Sequence, residues 1–178
     1  MLTCDKDSLN NIFQKLDLLS QLRLRATCRE LRMKLDITDL YNIDSDLRMR
    51  LNDRIVLQYP KLELLNTCWT GITDESVKEL KQLRKLNANK SHNVNSRTIT
   101  DTSVKELKQL QSLDAGNNPW ISDISVKELK QLQSLNAYNN PSITDESVKE
   151  LKQLRELFVF GNPKITKEGT AHIKKVYL

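Results

Sequence analysis

The residues of this sequence with the most chemical capacity are two histidines and three cysteines, and their spacing does not assemble a reactive site. His92 and His172 lie far apart, and neither belongs to a motif that joins a nucleophile to a base and an orienting carboxylate. Cys4, Cys28 and Cys68 are widely spaced and contain no Cys-x-x-Cys pair of the kind that binds zinc. The sequence therefore predicts a non-enzymatic protein with no catalytic residue, no cofactor and no metal.

Aromatic and polar side chains offer a different chemistry, which is non-covalent binding. Several follow Leu-x-x-Leu segments at positions that a core does not require, and exposed aromatic side chains often anchor protein interfaces. The candidate target-binding residues are Asn66, Trp69, Asn87, Asp114, Asn136, Tyr138, Phe158 and Phe160. For Phe158 and Phe160 the sequence leaves a second interpretation open, in which they shield the end of the structure under a last helix.

An internal repeat indicates which elements position these side chains. The octapeptide SVKELKQL begins at Ser76, Ser103, Ser125 and Ser147, and each copy leads into a Leu-x-x-Leu segment. In most copies an Asn, an Ile and an acidic residue follow in phase. This form resembles the leucine-rich-repeat motif, whose units have roughly 20–29 residues. The resemblance covers residues 62–178.

The resemblance implies an α/β solenoid with parallel strands on the concave face and helices on the convex face. Strands are expected to begin near Leu62, Leu83, Leu110, Leu132 and Leu154. Asn118 should hydrogen-bond the backbone of a neighbouring coil, and Asp123 should cap the helix that it begins. Residues 91–98 are expected to form an extra loop, and residues 171–178 to continue the last helix as a C-terminal cap.

The first part of the chain has a helical pattern instead. Leu9, Ile12, Phe13 and Leu16 occupy positions i, i+3, i+4 and i+7, which share one face of a helix. The stretch SLNNIFQKLDLLSQLRLRATCRELR resembles an F-box in its Ile-Phe pair, its Asp-Leu pair and its Leu-rich helix that ends in Cys-Arg. This resemblance implies an all-α module that docks a Skp-type adaptor protein of a cullin ubiquitin ligase. The implied adaptor-binding residues are Leu9, Ile12, Phe13, Leu16 and Leu22.

These parts divide the sequence into an F-box-like module at residues 1–38, a linker helix with N-terminal cap at 39–61, and the repeat array at 62–178. In the linker, the spacing of Leu47, Leu51 and Ile55 predicts one helix capped by Ser45. The combination is typical of a substrate-recognition adaptor of an SCF-type ubiquitin ligase, with the repeats binding an unknown target protein. The alternative is a free-standing leucine-rich-repeat interaction module whose N-terminal helices only cap the array.

Charge and hydropathy exclude other partners. The net charge is +5, and basic and acidic residues alternate along the chain, so we expect no nucleic-acid partner and a solvated helix face. No apolar run approaches the ~20 residues that span a bilayer, so no membrane association is expected. An odd number of separated cysteines favours a reducing compartment, which is the cytoplasm or the nucleus.

Overall fold

The computed structural model describes residues 20–21, 37–43, 45–90 and 99–178. By internal contacts the chain divides into two units, Met1–Thr38 and Asp39–Leu178. In the first unit, Ser20 and Gln21 are helical. The loop predicted at residues 91–98 lies outside the described residues.

The second unit is built on one parallel sheet whose strand order follows the chain order. Its strands are β1 (Asp39–Leu40), β2 (Leu64–Asn66), β3 (Lys85–Asn87), β4 (Ser112–Asp114), β5 (Ser134–Asn136), β6 (Glu156–Phe158) and β7 (Lys175–Tyr177). Each strand pairs with the next in a constant register, so that Leu86, Leu113, Leu135 and Leu157 lie side by side. The five predicted strand segments are confirmed, and β1 and β7 are additional.

Single-turn helices alternate with the strands. They are α1 (Ser45–Arg48), α2 (Asp53–Val56), α3 (Asp74–Val77), α4 (Asp101–Val104), α5 (Asp123–Val126), α6 (Asp145–Val148) and α7 (Lys167–Thr170). The core lies between the two layers, where the strand leucines meet apolar residues such as Val126, Leu129 and Ile121, all fully buried. No coil could bury this surface alone, and stacking of neighbours makes the core continuous. The predicted α/β solenoid is therefore confirmed.

Buried asparagines tie the coils together. Asn118, Asn140 and Asn162 occupy equivalent positions and are almost fully buried. The Asn140 amide donates to the carbonyl oxygens of Ala115, Asn118 and Ile121 at 3.0, 2.8 and 3.0 Å. Because an unpaired buried carbonyl costs about 1–3 kcal/mol, these bonds allow the chain to turn inside the core. The predicted role of Asn118 is confirmed, since its amide donates to Ile99 O of the preceding coil at 3.0 Å.

The Asp residue that begins each of the helices α2 to α6 has a different partner from the one predicted for Asp123. Asp123 does not cap α5, because Ser122 is the N-cap and its hydroxyl accepts from the Ile124 N–H at 3.2 Å. The Asp123 carboxylate instead accepts from the N–H and hydroxyl of Thr144 in the next coil, at 2.8 and 2.7 Å. Equivalent inter-coil bonds are made by Asp53, Asp74, Asp101 and Asp145.

The predicted C-terminal capping helix over residues 171–178 is wrong. The helix α7 ends at Thr170, and residues 175–177 form strand β7, paired in parallel with β6. Ile173 and Val176 repeat the Leu-x-x-Leu spacing with β-branched residues, and both favour a strand that can pair. The array therefore includes a strand at its C-terminal end that its leucines alone do not indicate.

The single linker helix predicted for residues 45–55 is also wrong. Residues 45–56 form two separate helices, α1 and α2, and the preceding strand β1 pairs with β2. Asn52 breaks the helix because its backbone is extended, with φ −150° and ψ 174°. Its side chain then caps α2 by accepting from the Ile55 N–H at 3.2 Å. Residues 39–61 are thus a coil of the array rather than a linker.

Candidate binding surface on the sheet

Alternation along each strand creates an outer sheet face, which is the side opposite the buried leucines. The register places Asn66, Asn87, Asp114, Asn136, Phe158 and Tyr177 in one row across this face. Two residues further along, at the strand exits, stand Cys68, Asn89, Gly116, Tyr138 and Phe160. The structure therefore brings most of the predicted target-binding residues onto one face.

The polar members of the row have a structural role. The side-chain Oδ1 atoms of Asn66, Asn87, Asp114 and Asn136 each accept the backbone N–H two residues ahead, at 2.9–3.0 Å. Such turns end a strand without leaving its last N–H unpaired. Asn66 is also buried, with 7% of its surface exposed. These four side chains consequently offer a partner fewer free groups than the sequence pattern indicated.

At the C-terminal end of the outer sheet face, aromatic side chains occupy the positions that polar side chains hold in the earlier strands. Phe158 stacks on Tyr177 with ring centroids 4.3 Å apart and an interplanar angle of 5°. Tyr138 stacks on Phe160 at 5.9 Å and 6°. Phe158, Phe160 and Tyr177 are 38%, 63% and 44% exposed. We call the side chains of Tyr138, Phe158, Phe160 and Tyr177 the aromatic patch.

The structure rules out one of the two interpretations for Phe160, and its role in target binding stays a prediction. Phe160 cannot shield the end of the stack under a last helix, because the element that follows α7 is strand β7 and Phe160 remains exposed. Tyr177 was missed because residues 171–178 were expected to be helical. The Ile-x-x-Val spacing of Ile173 and Val176 was the available signal, since it places Tyr177 at the same repeat position as Phe158.

Trp69 lies apart from this patch, at the exit of β2. Its φ of +61° is in the left-handed region, and the equivalent positions of other coils hold Asn117, Asn139 and Gly161, with φ between 48° and 71°. The left-handed conformation costs a residue with a Cβ roughly 1–2 kcal/mol, and it costs Asn less. The backbone of Trp69 is therefore strained, whereas Asn and Gly at the equivalent positions adopt this conformation more easily. It is 48% exposed. A cavity of about 180 Å³ is lined by Ser45, Arg48, Met49 and Trp69.

The N-terminal half of the outer sheet face is polar and holds Cys68. The thiol has two acceptors within hydrogen-bond distance, Asn87 Oδ1 at 3.3 Å and Asn89 O at 3.2 Å. Burial, and then the negative charge of Asp114, raise the pKa of the Cys68 thiol to about 11. Nearby, burial above all raises the pKa of Tyr41, whose ring carries the Lys85 ammonium 4.0 Å from its centroid. Cys68 is therefore held as a neutral thiol, which is a poor nucleophile.

The lysines of the repeated octapeptide face solvent on the helix side. Ion pairs connect successive coils there, at N–O distances of 3.1–3.3 Å, and they join Lys81 to Glu106, Lys108 to Glu128, and Lys130 to Glu150. Both partners of each pair are about half exposed, so each pair contributes little to stability. The alternating charges nevertheless neutralise the helix side and fit the predicted solvated face.

Within the described ranges, no group of three or more His, Cys, Asp or Glu side chains is arranged to hold a metal ion. None of the helices in the same ranges has the length and apolarity needed to cross a bilayer. The predicted adaptor-binding residues, from Leu9 to Leu22, lie outside the described residues.

The family model of the F-box domain matches residues 5–42. Among solved structures, the chain is similar to a leucine-rich-repeat protein of Leptospira interrogans, with a TM-score of 0.50 and 20% identity. The chain carries an F-box domain and a leucine-rich-repeat array. F-box and leucine-rich-repeat folds are typically interaction modules rather than catalytic ones.

Two further solved structures share the repeat fold. The functional domain of InlJ from Listeria monocytogenes has a TM-score of 0.51 and 16% identity, and TLR13 in its complex with ssRNA13 has 0.51 and 18%. The alignments cover 80%, 92% and 86% of the F-box/leucine-rich-repeat chain but only 35%, 36% and 26% of the Leptospira, Listeria and TLR13 chains. The chain therefore spans about a third or less of their length. A comparison with curated proteins finds no match.

Proposed function

We propose that this chain is a substrate-recognition adaptor of an SCF-type ubiquitin ligase. The F-box match at residues 5–42 carries the proposal, because an F-box implies binding of a Skp-type adaptor protein. The repeat array supports it by presenting exposed aromatic side chains on a sheet face, as a protein-binding module does. The cytoplasm or the nucleus is the compartment in which such a ligase would act.

The mechanism needs no active site in this chain. The F-box would hold the ligase through Leu9, Ile12, Phe13, Leu16 and Leu22, and the outer sheet face would hold the target protein. Linking the two binding events makes the encounter between ligase and target intramolecular and so raises the effective concentration of the target. Ubiquitin transfer then depends on proximity alone.

Calorimetry of the full chain with a purified Skp-type adaptor tests this proposal. We expect binding, and Phe13→Ala should weaken it by about 2 kcal/mol or more if this ring is an interface hot spot. Phe160→Ala is the matched control, because it removes the same side chain from the repeat array and should leave adaptor binding unchanged. Thermal unfolding of each variant checks that the fold survives.

Two results would contradict the proposal. One is no measurable binding of the adaptor at high micromolar concentration. The other is binding that Phe13→Ala and Ile12→Ala both leave intact in folded protein. Either result would favour a free-standing leucine-rich-repeat interaction module, whose N-terminal helices serve only to cap the array.

A further inference from the structure

The last coil of the array, which bears three of the four rings, carries most of the net positive charge of the chain. Residues 152–178 contain six basic and two acidic residues and therefore carry +4 of the net +5. The preceding coil, residues 130–151, contains two basic and three acidic residues. The basic residues of the last segment are Lys152, Arg155, Lys164, Lys167, Lys174 and Lys175. The one end of the sheet that presents four rings is thus also the basic end.

Three of these cations are free to meet a partner. Arg155 and Lys174 directly precede strands β6 and β7, and Lys164 follows the turn after Phe160. All three are exposed, and none takes part in the ion pairs formed by the described residues. Lys175 differs, because its ammonium lies 3.0 Å from the Glu156 carboxylate. Two uncompensated cations, Arg155 and Lys174, therefore stand at the entries of the strands that bear Phe158 and Tyr177.

We propose that the aromatic patch and the cations around it bind an acidic protein segment whose aromatic or aliphatic side chains contact the rings. This inference rests on the proposed function, since it names the class of target that the repeat array would hold. Charge complementarity selects the acidic partner, and three exposed rings beside the half-buried Tyr138 select the apolar contacts.

The stacking geometry favours a polypeptide over a single-stranded nucleic acid. Nucleobases bind proteins by stacking on open aromatic faces. Here Phe158 covers one face of Tyr177, and Tyr138 covers one face of Phe160, with the rings nearly parallel. Ring edges carry partial positive charge, so edges that remain open suit carboxylates and the faces of a partner's aromatic rings.

The test uses the full chain and a panel of fluorescein-labelled synthetic peptides in which Asp or Glu alternates with Phe, Tyr or Leu. We expect at least one such peptide to bind, and added salt to weaken its binding because the cations are exposed. Two comparison peptides define the class, one with alanine in place of the apolar residues and one with lysine in place of the acidic residues. Neither should bind.

Variants locate the site. Phe160→Ala should weaken peptide binding by at least about tenfold, as for an interface hot spot. Ile124→Ala is the matched control, because Ile124 on the helix side is also 63% exposed and should be neutral. Lys174→Glu should weaken binding and Lys105→Glu, on the helix side, should not. Both Phe160 and Lys174 are exposed, so these changes should leave the unfolding temperature nearly unaltered.

The inference is overturned if no peptide of the acidic panel binds, if Phe160→Ala and Ile124→Ala have equal effects, or if labelled oligothymidine binds in place of the peptides with the same dependence on Phe160. The adaptor experiment separates this failure from failure of the proposed function. Phe13→Ala should weaken adaptor binding without changing peptide binding, and Phe160→Ala should weaken peptide binding without changing adaptor binding.

Discussion

Asn140→Ala should destabilise the repeat array more than any surface change. The Asn140 side chain is fully buried, and its amide donates to the carbonyl oxygens of Ala115, Asn118 and Ile121. Its Oδ1 also accepts the Ser142 N–H at 3.1 Å. Alanine cannot replace any of these bonds, and the site is closed to water.

The expected loss in the free energy of unfolding follows from the hydrogen bonds that each carbonyl oxygen keeps in the Asn140→Ala variant. The Ala115 carbonyl still accepts the Asn118 N–H, and the Asn118 carbonyl still accepts the Ile121 N–H, so each loses only one of two bonds. In the described part of the chain, the Ile121 carbonyl has the Asn140 amide as its one partner. The orphaned Ile121 carbonyl costs about 1–3 kcal/mol and each of the two lost carbonyl bonds about 0.5–1.5 kcal/mol, which together give about 2–6 kcal/mol.

Urea unfolding followed by far-ultraviolet circular dichroism measures this loss as a lower midpoint at unchanged slope. Gln131→Ala is the control, because Gln131 is an exposed amide of the same coil. A loss of less than about 1 kcal/mol, no larger than that of the control, would refute the view that Asn140 satisfies the turn.

Three further predictions concern the core, the inter-coil carboxylates and the buried thiol. Leu113→Ala should lower the free energy of unfolding by about 2–5 kcal/mol, and a urea midpoint equal to that of Lys105→Ala would contradict its burial. Asp123→Asn should cost about 1–3 kcal/mol, because the amide keeps one acceptor oxygen and its NH2 group replaces the oxygen that accepts the second donor of Thr144; a loss no greater than for Lys105→Ala would contradict that role. With its pKa raised to about 11, Cys68 stays protonated at neutral pH and ionises only as the pH rises toward that value. In a chain whose other cysteines are serine, iodoacetamide should therefore react with Cys68 much more slowly at pH 8 than after unfolding, and equal rates would exclude the shift.

The internal repeat allowed the fold to be predicted from the sequence. Leu113 and Leu135 recur in phase with Asn118 and Asn140, and only a stack of identical coils buries such a pattern on one side. The same phase placed the outward row correctly, because the register of parallel strands follows from the period. The F-box could also be recognised from its local sequence motif, and the family match at residues 5–42 agrees with that prediction.

The features that the sequence did not predict depend on contacts between coils. Residues 171–178 have a local pattern compatible with a helix, yet Lys175–Tyr177 is a strand because β6 offers it a paired edge. The position of Asp123 in its own coil is that of a helix cap, but its carboxylate accepts from the N–H and hydroxyl of Thr144 in the next coil. The aromatic patch has the same origin, since Tyr177 stacks on Phe158 only when strand pairing brings them side by side. Sequence periodicity encodes which residues point inward, whereas partners across coils exist only after the chain has stacked.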